Sequence, residues 1–191
     1  MRNHGTMTEV IRIGSLLIAT PALTDPNFDR TVVFLLDNND NGALGVVINR
    51  PTPVPVANVL PPWSGLVTAP DMMFQGGPVG LDRALGLAAA PGSSQPLGWR
   101  RVIRGIGLVD LDAPPEVLAG DLGGLRIFAG YAGWSPGQLD DEVREGAWYV
   151  VDSEIGDIFS SEPEQLWRSV LRRQQGSLSL LATYPEDPSM N

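Results

Sequence analysis

The chain has 191 residues, 43% hydrophobic and 18% charged, with a formal net charge of −9. That balance describes one folded domain with a substantial core, and the negative charge argues against a general nucleic-acid-binding surface, whose affinity comes from Lys and Arg neutralising phosphates. There is no cysteine and a single histidine, His4, which excludes disulfides, thiolate nucleophiles, Cys-ligated zinc, the Ser-His-Asp triad and HExxH metal sites.

Residues 1–12 read as a flexible leader. The apolar run Leu16–Ala19 stops at Pro21, far short of the roughly 20 residues a membrane span needs. No basic segment directly precedes it, so it reads as a strand rather than a signal-peptide core. The expected location is the cytoplasm, with no membrane association. Gly14–Thr20 is the first predicted strand, and Asp25-Pro26-Asn27 is turn chemistry. Thr31–Leu36 and Ala43–Asn49 are two further strands joined by the polar loop Asn38–Gly42, the pattern of an antiparallel hairpin. Both are apolar on both faces, as in a sheet covered on two sides. Asp37–Gly42 also fits the opening of a calcium loop, but its twelfth position is Ile48, not a bidentate Glu, and a strand follows.

Residues 51–70 carry six prolines and are expected to be irregular, with a short helix over 56–60. Met72–Gln75 predicts a strand running into the turn Gly76-Gly77-Pro78, and Ala84–Ala90 another. Arg100–Asp110 reads as one bent strand with an irregularity at Gly105 and Gly107. Residues 114–119 suit a short helix. Ile127–Tyr131 is a strand. After it, Ser135 stands where an N-cap belongs, Pro136 at the first helical position and Gln138 three residues on, a capping-box pattern. Asp140, Asp141 and Glu142 then load the early helix and Arg144 its end, both matched to the helix dipole, and Gly146 suits its stop. Ala147–Val151 continues as a strand. Ser161, Pro163 and Glu164 open another helix with Leu166, Trp167, Val170 and Leu171 on its apolar face. Ser177–Thr183 is expected as an edge strand. The pattern is α+β: one domain over 13–184, a mostly antiparallel or mixed sheet with a few flanking helices, and a loose tail over 185–191.

Several segments match a known family in order: Gly14–Leu36, Asn41–Pro51, Gln75–Val79 with Asp82-Arg83, Gly130–Trp148 and Leu166-Trp167-Arg168. Through them the sequence resembles the AlgH/YqgE family of bacterial proteins. The resemblance implies a single α+β domain on a large mixed, partly bifurcated and barrel-like sheet. Members carry a transcriptional-regulator label, with no established reaction, cofactor or catalytic residue set to carry over.

Three strand ends gather the polar candidates for a ligand site: Asn49-Arg50, Gln75-Gly76-Gly77, and Tyr131 to Gln138. Strand ends feeding loops near a helix start are usual places for a crevice. There Arg30 or Arg50 would pair with an anion, Tyr131 and Trp134 would supply an apolar wall, and Glu142 a carboxylate. Each has a structural role available instead. The glycines suit turns, Trp134, Trp148 and Trp167 suit the core, and Arg30, Arg50 and Arg83 suit buried ion pairs with Asp25, Asp82 or Glu142. Asp140, Asp141 and Glu142 point in different directions on a helix and cannot converge on one ion. Neither a metal nor a cofactor is expected. The reading is a non-enzymatic regulatory or binding protein acting through a protein partner or small ligand, without direct nucleic-acid contact. The alternatives are an enzyme using Arg and carboxylates on a phosphorylated or acidic substrate, with or without a divalent cation, and an assembly module with an apolar patch near 51–70.

Overall fold

The computed structural model describes residues 11–92 and 95–185. His4, most of the leader and residues 186–191 lie outside that range. Ile11 is already buried in the fold, and its carbonyl accepts from Asn38 Nδ2 at 2.9 Å.

Ten strands form one curled sheet: β1 (Leu16–Ala19), β2 (Val32–Asn39), β3 (Gly42–Val47), β4 (Pro51–Pro55), β5 (Met72–Gln75), β6 (Val79–Ala89), β7 (Trp99–Ile103), β8 (Ile106–Val109), β9 (Gly124–Trp134) and β10 (Trp148–Val151). Its main path runs β10-β1-β2-β3-β9-β6-β8-β7. Every pairing is antiparallel except β5 with β9. The sheet forks on β9. One edge of β9 follows β6; its other edge pairs with β5 at Phe128 and Ala129 and with β3 from Ala132 to Trp134. This fork is the bifurcation expected from the family resemblance. Among the described residues, five short helices flank the sheet: α1 (Val56–Val59), α2 (Gln138–Arg144), α3 (Ile155–Ile158), α4 (Leu166–Arg172) and α5 (Ser177–Leu181).

Strand alternation explains three cores. Leu16, Ile18, Phe34, Val46, Phe74, Leu87, Ile106, Phe128 and Val151 point to the inside of the curl and are sealed there by α4, through Leu166, Trp167, Val170 and Leu171. Their neighbours Leu17, Val33, Leu35, Val47 and Ala132 point outward under Phe28 and α2. Met73, Ala88, Leu125 and Ile127 point outward at the other end, under Val56, Trp63 and Leu118. Strands apolar on both faces are therefore covered on both, as the sequence predicts.

Five expectations change. Pro51–Pro55 is a strand, not an irregular connection: β4 lies at an edge, where proline's missing N–H leaves no ladder bond unmade. Residues 100–110 form a hairpin of two strands, turning at Arg104-Gly105 with Gly105 at φ +84°. The Asn38–Gly42 loop shortens to Asp40-Asn41 between longer strands. Residues 177–181 are helical, because Leu178 and Leu181, three apart, both reach the inner core. The helix predicted to open at Ser161 begins as a 3-10 turn at Pro163–Gln165, without a side-chain cap.

Candidate functional site

The three predicted strand ends do meet, at the fork. Gln75 N–H donates to the Arg50 carbonyl at 2.9 Å, Val47 N–H to Gly76 at 2.8 Å and Gly76 N–H to Ala129 at 2.8 Å. A Cβ on Gly77 would stand 2.2 Å from the Tyr131 carbonyl, and one on Gly76 2.4 Å from the Gly130 oxygen. Backbone on backbone fills the space a crevice would need. The glycines permit this close strand approach.

Asn49 is buried and both ends of its amide are engaged. Its Oδ1 accepts from Val32 N–H at 2.9 Å and its Nδ2 donates to the Arg30 carbonyl at 2.9 Å. Arg30 is the one non-glycine residue at positive φ, 53°, among the described residues, so Asn49 holds a strained corner in place. The Arg30 guanidinium lies 4.6 Å from the Trp167 ring centre and donates to the carbonyls of Tyr184 and Pro185. Arg50 donates to the carbonyls of Asn27 at 2.7 Å and Asp29 at 2.8 Å. Burial lowers its pKa, while Asp29 and Asp25 oppose that shift. The predicted carboxylate pairs for these arginines are therefore replaced by main-chain acceptors. A turn's clustered carbonyls offer a guanidinium fork the same charge-assisted geometry as a carboxylate.

Trp134 and Glu142 belong to a second cluster, on the outer face under α2. Glu142 Oε2 accepts from Trp134 Nε1 at 2.8 Å and from Trp148 Nε1 at 2.9 Å, while Oε1 accepts from Gln138 Nε2 at 3.0 Å. The two indoles meet edge to face at 6.1 Å, and Phe28 packs on both. One carboxylate thus ties β9, α2 and β10 together. Ser135 is not the N-cap of α2. Gly137 takes that position at φ +78°, and the Ser135 N–H and hydroxyl both turn to Gln138 Oε1, at 3.0 and 3.1 Å. The reciprocal arm of the predicted capping box forms while the helix starts later.

The sequence reading missed Arg126. It is 1% exposed and donates to the carbonyls of Ile158 and Ser160 at 2.9 Å and of Ala69 at 2.7 Å, with its guanidinium 4.3 Å from the Phe74 ring centre. Burial brings its pKa down to about 10. Arg at an inward position of an otherwise apolar strand, Gly124–Trp134, was the available signal. Among the described residues no group of three or more His, Cys, Asp or Glu is placed to hold a metal ion, and no helix is long and apolar enough to cross a membrane.

These features define a class: an α+β protein on a forked, curled sheet, with Arg30, Asn49, Arg50, Arg126 and Glu142 engaged by backbone or by indole N–H groups within the fold. A family model described as AlgH-like matches residues 16–179, and the chain belongs to that family. It is 64% identical over 190 residues to the UPF0301 protein of Streptomyces avermitilis, covering 97% of this chain and 98% of the relative. It is 46% identical over 184 residues to that of Mycobacterium tuberculosis, covering 95% and 91%. A crystal structure from Corynebacterium diphtheriae superposes with a TM-score of 0.85 at 30% identity, covering 90% of this chain and 91% of that one. The solution structure of the AlgH protein from Pseudomonas aeruginosa gives 0.67 at 28% identity, covering 98% and 99%.

Proposed function

We propose that this protein is a non-catalytic regulatory protein that works by binding, chiefly through a protein partner, rather than by turnover. The observation that carries the reading is Glu142. Its carboxylate, the one among the candidate site residues, accepts three hydrogen bonds, two of them from indoles in the outer core. Arg50 and Asn49 are engaged in the same manner with backbone. A carboxylate that already accepts three hydrogen bonds within the fold has little acceptor capacity left for a substrate proton. The net charge of −9 supports a partner other than nucleic acid. A surface hollow of about 410 Å³ between β4 and the 163–164 turn, lined by Pro51, Pro53, Pro70, Met72 and Pro163 together with the polar Thr52, Ser161 and Glu164, supplies a mixed polar and apolar contact area beside exposed Val54.

The test is crosslinking affinity purification of the full chain from its native cell, with crosslinks mapped. The expected result is one reproducible protein partner. Two results would overturn the reading. One is hydrolysis of a phosphoester that Arg50→Ala or Glu142→Gln abolishes in a folded variant. The other is sequence-specific DNA binding that survives physiological salt.

A further inference from the structure

The turn between β7 and β8, the end of β6 and the start of α3 enclose a second hollow of about 650 Å³. It is lined by Ala90, Pro91, Gly92, Arg101, Arg104, Gly105 and Ile155. Its size lies within the range of small-molecule pockets, about 300–1,000 Å³. Among the described residues the lining holds two cations and no carboxylate, in a chain that carries 22 acidic residues against 13 arginines.

The two guanidiniums contrast with the arginines already described. Arg30, Arg50 and Arg126 are committed to backbone carbonyls, and Arg144 and Arg173 to carboxylates. Arg101 and Arg104 are exposed, and among the described residues they have no hydrogen-bond or ion-pair partner. The acid nearest in sequence to Ile155 is Glu154. It lies 3.5 Å from Arg173, and its backbone N–H is capped by Asp157 Oδ2 at 2.7 Å. Asp157 is itself held by Arg173 at 2.5 and 2.6 Å. Glu154 and Asp157 are therefore held by Arg173, while Asp121 lines an adjoining hollow that shares Ala90, Pro91 and Gly92 with this one.

Arg100 lines a different depression with Trp99 and Asp110, while Arg101 lines this hollow together with Arg104 of the turn. Gly105, at φ +84°, lets the turn bend so that Arg104 follows Arg101 into the same opening. Its carbonyl is fixed by Ala90 N–H at 3.0 Å. Two planar forks at one mouth suit the oxygens of a phosphate, and Ile155 and Pro91 offer apolar contact to the organic part.

We propose that this hollow binds a phosphate-bearing small organic molecule, with Arg101 and Arg104 as the anion-holding residues. The proposal deepens the binding reading above by adding a ligand class, and partner capture stands or falls independently of it. The experiment is calorimetric titration of the full chain with ADP and with inorganic pyrophosphate. The same titrations are run on R101Q/R104Q and on the control R100Q/R83Q, which removes the same charge elsewhere. Circular dichroism melts check that each variant folds; if the double variant does not, R101Q and R104Q are tested singly.

Wild type is expected to bind both ligands, ADP more tightly. R101Q/R104Q should weaken binding at least about tenfold, while the control stays within about twofold of wild type. Absence of binding by wild type overturns the proposal. So does equal loss in both double variants, which means diffuse charge alone, and so does ADP binding no tighter than pyrophosphate, which removes the organic moiety from the claim.

Discussion

Single residues in this protein act mainly as connectors between elements. Glu142 shows it most directly, because one carboxylate gathers two indole N–H groups and an amide from three elements. Replacing it with Ala leaves two partly buried indole donors without acceptors, a loss of about 2–3 kcal/mol of folding stability. Glu142→Gln keeps the shape but turns one acceptor into a donor, and about 1–2 kcal/mol is expected. Urea melts followed by tryptophan fluorescence check both, since Trp134 and Trp148 report on the site directly. A stability change under about 0.5 kcal/mol in the Ala variant would show that the contacts are incidental. All five tryptophans are anchored by their indole N–H: Trp63 to Leu111, Trp99 to Ala88, Trp167 to Ala19, and the other two to Glu142. The sequence marks Trp134, Trp148 and Trp167 as structural by size and polarity. It does not mark Glu142 as their acceptor, because spacing along the chain says nothing about a meeting across β10.

At the scale of elements, the clearest case is Arg126 in β9. It joins the 68–69 segment to the 158–160 segment across the inner core, through main-chain acceptors on both. Arg126→Met fits the volume and removes the desolvation cost of the charge, but it strands several carbonyls in a buried setting. The expected net loss is about 3 kcal/mol, measured as a fall in the guanidinium midpoint at unchanged slope. A neutral or stabilising result would mean that water replaces the guanidinium there. Element types were largely legible. The strands at 16–19, 32–36, 43–47, 72–75 and 148–151 follow from β-branched and apolar runs bounded by turn residues. Misreadings fall where tertiary contacts outvote local pattern. Proline-rich β4 is stabilised as a strand by β5, with Thr52 Oγ1 donating to the Met73 carbonyl at 2.7 Å. Ser177–Leu181 alternates like a strand, yet the inner core receives it as a helix.

At the scale of the molecule, β9 is the spine: it touches β3, β5 and β6 and contributes to all three cores. Exposing its amides requires opening the fork and both halves of the sheet together. Hydrogen exchange should therefore be slowest over Leu125–Ala129 and faster by about two orders of magnitude or more in edge strand β7. Uniform protection across the two strands would contradict that hierarchy. The same architecture explains the fate of the predicted site. A fork in a sheet brings strand ends together, and here Gly76, Gly77 and Gly130 let the backbones close on one another.

By itself the sequence determined the class, the strand-rich order, the absence of thiol and triad chemistry, and the family membership. These depend on composition and on patterns within a few residues. Only the tertiary structure decided where the arginines go. A guanidinium reaches several ångströms and takes whatever acceptors the fold brings near. The fold brings carbonyls to Arg30, Arg50 and Arg126, an acid to Arg173, and an open hollow to Arg101 and Arg104.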